Sequence, residues 1–365
     1  MNKAPLRILF AGGGTGGHLF SGIAVAERFR SRDPAAQILF VGTPFGLEKD
    51  IVPRAGFELR FIEATPLKGS GWRARLGSLA RLPKAYGQSK KILKEFQPDL
   101  VVGIGGYASG PMTLAAHFSK IPTAVIEQNS IPGFTNRQLA RFVDKIFISF
   151  AKAREFFDPQ KTVFSGNPTR SFAAPRQARP DGRLCLFVLG GSQGAHALNE
   201  AMRQALPSLR GQAERLHIIH QTGSKDFAAV EAAYREAGIS AEVFPFLQDL
   251  GPYYAQADLM LCRAGAGTIT ELQNLGLPAI LVPYPFAADD HQRYNAEEMV
   301  TAGAAEMILN QELNGAKVAE RLNFYLLNRP ILENMRSFSK KLSKPDAAKT
   351  VMNKCLEMIE KTITS

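Results

Sequence analysis

The stretch LRILFAGGGTGGHL, from Leu6 to Leu19, decides the reading of this chain. Leu6, Ile8, Leu9 and Phe10 make a short apolar run of the length expected for a buried parallel strand. Gly12, Gly13, Gly14, Gly16 and Gly17 follow, broken only by Thr15, and Leu19, Ile23, Ala24, Ala26 and Phe29 then recur at helical spacing. Strand, glycine turn and helix in that order predict an anion cradle, because unpaired backbone N–H groups and the positive helix end converge on one spot. His18 stands at the mouth of that turn, where a titratable ring meets a ligand.

The spacing GGGTGG is not G-x-G-x-x-G, and no acidic residue stands after the second expected strand, Gln37–Val41, where a dinucleotide's ribose is usually held. Both points disfavour a nicotinamide cofactor. A length of 365 residues predicts two domains, each with its own core. No apolar run reaches the length of a membrane helix, and the N-terminus enters the first strand without the pattern of a signal peptide. Cys185, Cys262 and Cys355 are scattered and odd in number, which predicts buried thiols in the cytoplasm rather than disulfides or a metal site.

Outward from the first turn, strands alternate with helical segments: Glu58–Ile62, Asp99–Ile104, Thr123–Glu127, Lys145–Ser149 and Thr162–Phe164. The polar segment Pro175–Gly182 reads as a linker. The opening theme then returns as the strand Cys185–Leu189, the turn Gly190–Gly194 and the helix Ala195–Leu206. The expectation is α/β, with two doubly wound parallel-sheet domains and a ligand cleft between them. Residues 1–174 form the first, 175–340 the second, and 341–365 a helix packing back on the first. The tail from Val318 to Ile363 is expected to be helical, interrupted at Pro330 and Pro345.

The net charge of +11 calls for an anionic partner. Between Pro66 and Lys94 lie eight basic residues and no acid, interleaved with apolar ones. Trp72, Arg73, Arg75, Leu76, Leu79, Arg81 and Lys84 predict a patch that settles on an anionic membrane surface. The alternative is an ordinary solvated helix and loop. No nucleic-acid-binding module is visible, so nucleic acid is not an expected partner.

Three further glycine turns follow strands: GIGGYASGP (Gly103–Pro111), GGSQG (Gly190–Gly194) and RAGAGTITE (Arg263–Glu271). In the last, small residues and Thr268 at a helix start suit a diphosphate, and Glu271 suits the paired hydroxyls of a ribose. Each turn falls at the carboxyl edge of a strand, where open α/β sheets bind ligands.

GGGTGGH (Gly12–His18), GGYASGP (Gly105–Pro111), EQN (Glu127–Asn129), GNPTR (Gly166–Arg170), GGSQGA (Gly190–Ala195), RAGAGTITEL (Arg263–Leu272) and DHQRYNA (Asp290–Ala296) together resemble the MurG family of peptidoglycan N-acetylglucosaminyltransferases. Gly267 departs from that pattern, standing where relatives often carry a larger residue. The resemblance implies a GT-B fold of two Rossmann-like domains, with UDP-N-acetylglucosamine held mainly by the second and a polyprenyl-pyrophosphate-linked acceptor by the first. It implies inverting transfer to the muramyl 4-hydroxyl, giving lipid II for peptidoglycan on the cytoplasmic face of the bacterial cell membrane. Another GT-B nucleotide-sugar transferase with a lipid or small-molecule acceptor is the alternative.

By the same resemblance, Ser192, Leu247, Ala266, Gly267, Thr268, Ile269, Thr270, Glu271 and Gln292 contact the donor. Thr15, Gly16, Gly17, Asn129 and Arg170 complete its site, although an interdomain salt bridge is the other reading of Arg170. Gly105, Gly106 and Tyr107 lie on the acceptor side. His18 is the candidate base, a structural histidine or sugar contact being the other reading. Asp289-Asp290 is not D-x-D, and no cluster has metal-ligand spacing, so no metal or other cofactor is expected.

Overall fold

A computed structural model of the chain describes residues 5–64, 72–170, 176–177 and 179–364, with side chains excluded at 72–81 and 363–364. The chain divides into two compact units, Met1–Arg170 with Lys344–Ser365, and Ser171–Ser343.

The first unit is built on seven strands: β1 (Arg7–Gly12), β2 (Gln37–Gly42), β3 (Glu58–Phe61), β4 (Leu100–Gly105), β5 (Thr123–Glu127), β6 (Lys145–Ile148) and β7 (Thr162–Phe164). They pair in the order β3-β2-β1-β4-β5-β6-β7, all parallel. The central strands are apolar on both faces because helices cover both, as in any doubly wound sheet. Phe10 stacks on Phe40 at 5.1 Å between ring centroids, and both are buried. The last helix, Ala347–Thr364, lays Val351, Met352, Cys355 and Ile359 into the same core as Leu19, Ile23 and Phe29.

The second unit repeats the plan with β8 (Leu184–Leu189), β9 (Leu216–Gln221), β10 (Ser240–Phe244), β11 (Leu259–Cys262), β12 (Ala279–Leu281) and β13 (Ala305–Met307). Their order is β10-β9-β8-β11-β12-β13, again parallel. In each unit the order reverses direction beside the first strand, between β1 and β4 and between β8 and β11. That topological switch point puts a crevice beyond the carboxyl ends of those strands.

The tail is interrupted beside Pro330 as expected: one helix ends at Leu327, Asn328 is non-helical, and the next helix starts at Arg329. Pro330 stands in the first turn of the helix Arg329–Lys341, where its missing N–H has no partner to lose. The three cysteines are free and buried; burial pushes the Cys185 and Cys262 thiols up to about 12. Among the described residues no helix is long and apolar enough to cross a membrane.

The basic stretch lies on the helix Trp72–Phe96, which carries Pro83 inside it. Residues 65–71, and the side chains of Trp72, Arg73, Arg75, Leu76, Leu79 and Arg81, lie outside the described set. Lys84 is described, and its Nζ sits 2.8 Å from Glu63 Oε2. An acid from outside the basic run thus answers part of its charge.

Candidate functional site

In the first unit the glycine turn lies between β1 and the helix Gly16–Arg32. Thr15 caps that helix through its hydroxyl, which accepts from the His18 N–H. The expectation of unpaired amides is corrected at two positions. The Gly13 N–H donates to Gly105 O at 3.1 Å, and the Gly14 N–H donates to Glu48 Oε2 at 2.9 Å. Glu48 is buried under the turn, and its Oε1 also accepts from the Thr43 N–H and Thr43 hydroxyl, both at 2.8 Å. A carboxylate already occupies the space beneath this turn, which makes it a poor seat for a second anion.

His18 is half-buried, and its Nδ1 lies 3.1 Å from Gly13 O. A carbonyl only accepts, so Nδ1 carries the hydrogen and Nε2 of the neutral ring is the acceptor. Gly105, at φ +91, passes so close that a Cβ there would lie 3.0 Å from Nε2. Gly106 and the exposed Tyr107 continue along the same edge.

The EQN segment ends β5. Glu127 is fully buried, and its carboxylate accepts from the Asn129 N–H (2.9 Å), the Gly133 N–H (3.0 Å) and Asn136 Nδ2 (2.9 Å). Burial raises its pKa above the usual carboxylate value, against the opposing pull of these donors. Gln128 Nε2 donates to Ser21 Oγ at 2.9 Å, and Ser21 Oγ donates to His18 O at 2.8 Å. The segment therefore both presents Asn129 and braces the start of the first helix. Arg170 is exposed, with its guanidinium 4.1 Å over the Phe20 ring.

In the second unit the turn after β8 closes with the Gly194 N–H on Gly191 O at 2.9 Å, leaving Gly191, Ser192 and Gln193 exposed. Gly194 (φ +73) packs on Thr222 O so tightly that no Cβ fits. Gln221, buried at the end of β9, spans two loops: its Nε2 donates to Gly191 O and its Oε1 accepts from the Leu247 N–H, both at 2.8 Å. The Leu247 N–H is thus committed inside the protein, and what its backbone can offer a nucleotide base is the carbonyl.

After β11 the helix Ala266–Leu275 begins, and its first-turn amides have no partner within the helix. Gly267 and Thr268 are half-buried at that end. Ile269 and Thr270, like Ala266, are buried. The Ile269 N–H bonds Gly265 O at 2.9 Å, and the Thr270 hydroxyl donates back to Ala266 O at 2.9 Å. Both support the turn from beneath. Glu271 is half-buried and accepts from the Tyr254 hydroxyl at 2.8 Å, which fixes one side of its carboxylate. Gln292 Oε1 accepts from the Tyr284 N–H at 3.0 Å, and the buried Asn295 Nδ2 reaches Ala264 O, tying the DHQRYNA helix to this turn.

Sequence reasoning assigned no role to Glu48, Gln221 or Tyr254. The only signal for Glu48 was its place shortly after the closely spaced glycines Gly42 and Gly46, which leave room for a side chain. Among the described residues no group of three or more His, Cys, Asp or Glu is gathered to hold a metal ion.

Residues 8–148 match the description "Glycosyltransferase family 28 N-terminal domain", and residues 185–351 match its C-terminal domain. A protein of Geobacter sulfurreducens, named UDP-N-acetylglucosamine–N-acetylmuramyl-(pentapeptide) pyrophosphoryl-undecaprenol N-acetylglucosamine transferase, is 46% identical over 98% of this chain and 99% of its own. The crystal structure of Acinetobacter baumannii MurG superposes with a TM-score of 0.80 at 31% identity, covering 97% of this chain and 100% of that one. The calicheamicin glycosyltransferase, at 16% identity and a TM-score of 0.72 over 99% of this chain and 100% of its own, shares the GT-B fold. With its two parallel Rossmann-like sheets and this run of full-length similarity, the chain belongs to the MurG family of glycosyltransferases.

Proposed function

We propose that this chain moves N-acetylglucosamine from UDP-N-acetylglucosamine to the muramyl 4-hydroxyl of a polyprenyl-pyrophosphate-linked muramyl pentapeptide, with inversion at the anomeric carbon. The hydroxyl oxygen forms the new bond to that carbon and its proton passes to His18 Nε2. The bond to the UDP oxygen breaks with its electron pair, leaving UDP. The observation that carries this reading is the 3.1 Å contact of His18 Nδ1 with Gly13 O: a neutral ring donating there has its basic nitrogen at Nε2.

In this reading the second unit takes the donor. Ser192 and the amide end at Ala266, Gly267 and Thr268 meet the diphosphate, Glu271 the ribose, and Leu247 and Gln292 the rest of the nucleotide. The first unit takes the acceptor along Gly105, Gly106 and Tyr107, and Thr15, Gly16, Gly17, Asn129 and Arg170 complete the donor site. Arg170 suits the leaving diphosphate because its fork stays charged. The basic helix rests on anionic lipid at the cytoplasmic face of the membrane, and no metal is required.

The test is transfer of labelled N-acetylglucosamine to a lipid I analogue in EDTA, with wild type and His18→Ala. Transfer by wild type, and loss of about 10²–10⁴-fold in kcat with UDP affinity retained in the variant, is the expected result. Equal turnover by both would remove His18 from the chemistry. UDP binding without transfer would assign a different acceptor. Sedimentation with anionic vesicles, weakening as salt rises, tests the membrane surface.

A further inference from the structure

We propose that Glu48 is a positioning residue that fixes the tautomer and aim of the His18 ring through the Gly13–Gly14 peptide. The two groups never touch, but they hold opposite ends of one peptide unit. The Gly14 N–H donates to Glu48 Oε2 at 2.9 Å, and the carbonyl of the same unit, Gly13 O, takes the proton of His18 Nδ1 at 3.1 Å. A carboxylate pulling on the N–H side makes the carbonyl a stronger acceptor, since bonds in series polarise one another. The stronger acceptor selects the Nδ1–H form and leaves Nε2 as the basic nitrogen.

The rest of the local structure serves this contact. Glu48 opens the helix Glu48–Arg54, where the helix end favours a negative charge. It is 1% exposed, and Thr43 holds its other oxygen with two donors. A Cβ on Gly13 would lie 2.5 Å from Glu48 Oε2, and one on Gly42 2.5 Å from its Cγ. Those glycines clear the volume the carboxylate fills. The catalytic consequence rests on His18 being the base; the tautomer itself does not.

The tautomer is read directly from ring nitrogen shifts of protein labelled with ¹⁵N-histidine, the His18 signals being those lost in His18→Ala. In wild type at neutral pH the ring is expected in the Nδ1–H form. A ring in the Nε2–H form in wild type overturns the proposal without any variant. In Glu48→Gln, which keeps the shape and removes the charge, the ring is expected to become a tautomer mixture. With it kcat falls about 10–100-fold while KM for UDP-N-acetylglucosamine stays within about twofold. A folded Glu48→Gln with an unchanged tautomer overturns the proposal. Thr43→Val, which removes one hydroxyl donor and leaves the charge and the Gly14 bond, is expected to keep kcat within about threefold. A loss there as large as in Glu48→Gln reduces Glu48 to loop packing and equally overturns it. Turnover retained by His18→Ala removes the base reading alone, leaving the nitrogen shifts to judge the relay.

Discussion

The glycine turns after β1 and β8 start from the same strand-turn-helix pattern, and their supports differ in charge. Beneath the first, the Glu48 carboxylate takes the Gly14 amide, so negative charge faces the turn from inside. Beneath the second, the neutral Gln221 amide bonds Gly191 O and the Leu247 N–H. Asp226 bonds the side chains of Asn199 (2.7 Å) and His196 (3.0 Å). A helix-end field is worth more to a diphosphate where no buried anion already answers it. On the proposed reading the two copies of one motif divide the chemistry, the first aiming a base and the second holding phosphate.

If that division holds, lesions in the second turn fall on donor affinity and lesions in the first on turnover. The largest affinity effect is expected from Glu271→Ala, which removes the proposed charge-assisted bonds to the ribose and the carboxylate that accepts from the Tyr254 hydroxyl. KM for UDP-N-acetylglucosamine should rise about 10–100-fold, with kcat changed far less. A kcat loss at unchanged KM would break the comparison. Next is Gly105→Ala, which forces a Cβ to 3.0 Å from His18 Nε2 at a φ of +91. The strain is expected to cost about 1–3 kcal/mol in unfolding experiments. Turnover should fall while UDP binding by calorimetry stays as in wild type.

The strand pattern and the doubly wound plan were legible because parallel strands covered on both faces read as apolar runs. The tandem turns were legible because glycine is hard to explain otherwise. What the sequence hid is how the turns are braced. Glu48 enters from a separate helix and Gln221 from the next strand, and neither sits at a motif spacing from the group it holds. Linear reading also put six consecutive residues from Ala266 on the ligand. Three of these, Ala266, Ile269 and Thr270, are buried in the fold. Pro330, by contrast, was legible, since proline breaks a helix interior and suits a helix start, and the tail breaks at Asn328 just before it.

The support of the second turn is itself testable through pH. His220 is buried, with Nε2 on Asn199 Oδ1 (3.0 Å) and Nδ1 on the Tyr234 hydroxyl (2.9 Å), and burial depresses its pKa to about 3. The unfolded chain binds a proton near pH 6.5 that the folded one refuses. Stability is therefore complete above about pH 6.5 and is lost as pH falls toward 3, by up to about 1.4 kcal/mol per pH unit for this one group. Denaturant midpoints for wild type and His220→Gln between pH 7 and pH 4 should diverge, the variant showing the shallower slope. Parallel slopes would remove His220 as the source.

The smallest effect is expected at Ser192, and it separates a turn that binds through its backbone from one that needs its side chain. Ser192 is exposed on the rim of a turn closed by Gly194 and Gly191. Replacing its hydroxyl with hydrogen leaves the turn's geometry intact, because no φ or packing requirement falls on this residue. One neutral hydrogen bond to a phosphate oxygen contributes about 0.5–1.5 kcal/mol net, so Ser192→Ala should raise KM for the donor by about 2–10-fold and leave kcat alone. A larger loss would mean the hydroxyl, not the amides and the helix end, dominates diphosphate binding. The second turn would then owe its affinity to one side chain, and the contrast in buried charge between the two turns would no longer explain which of them takes the phosphate.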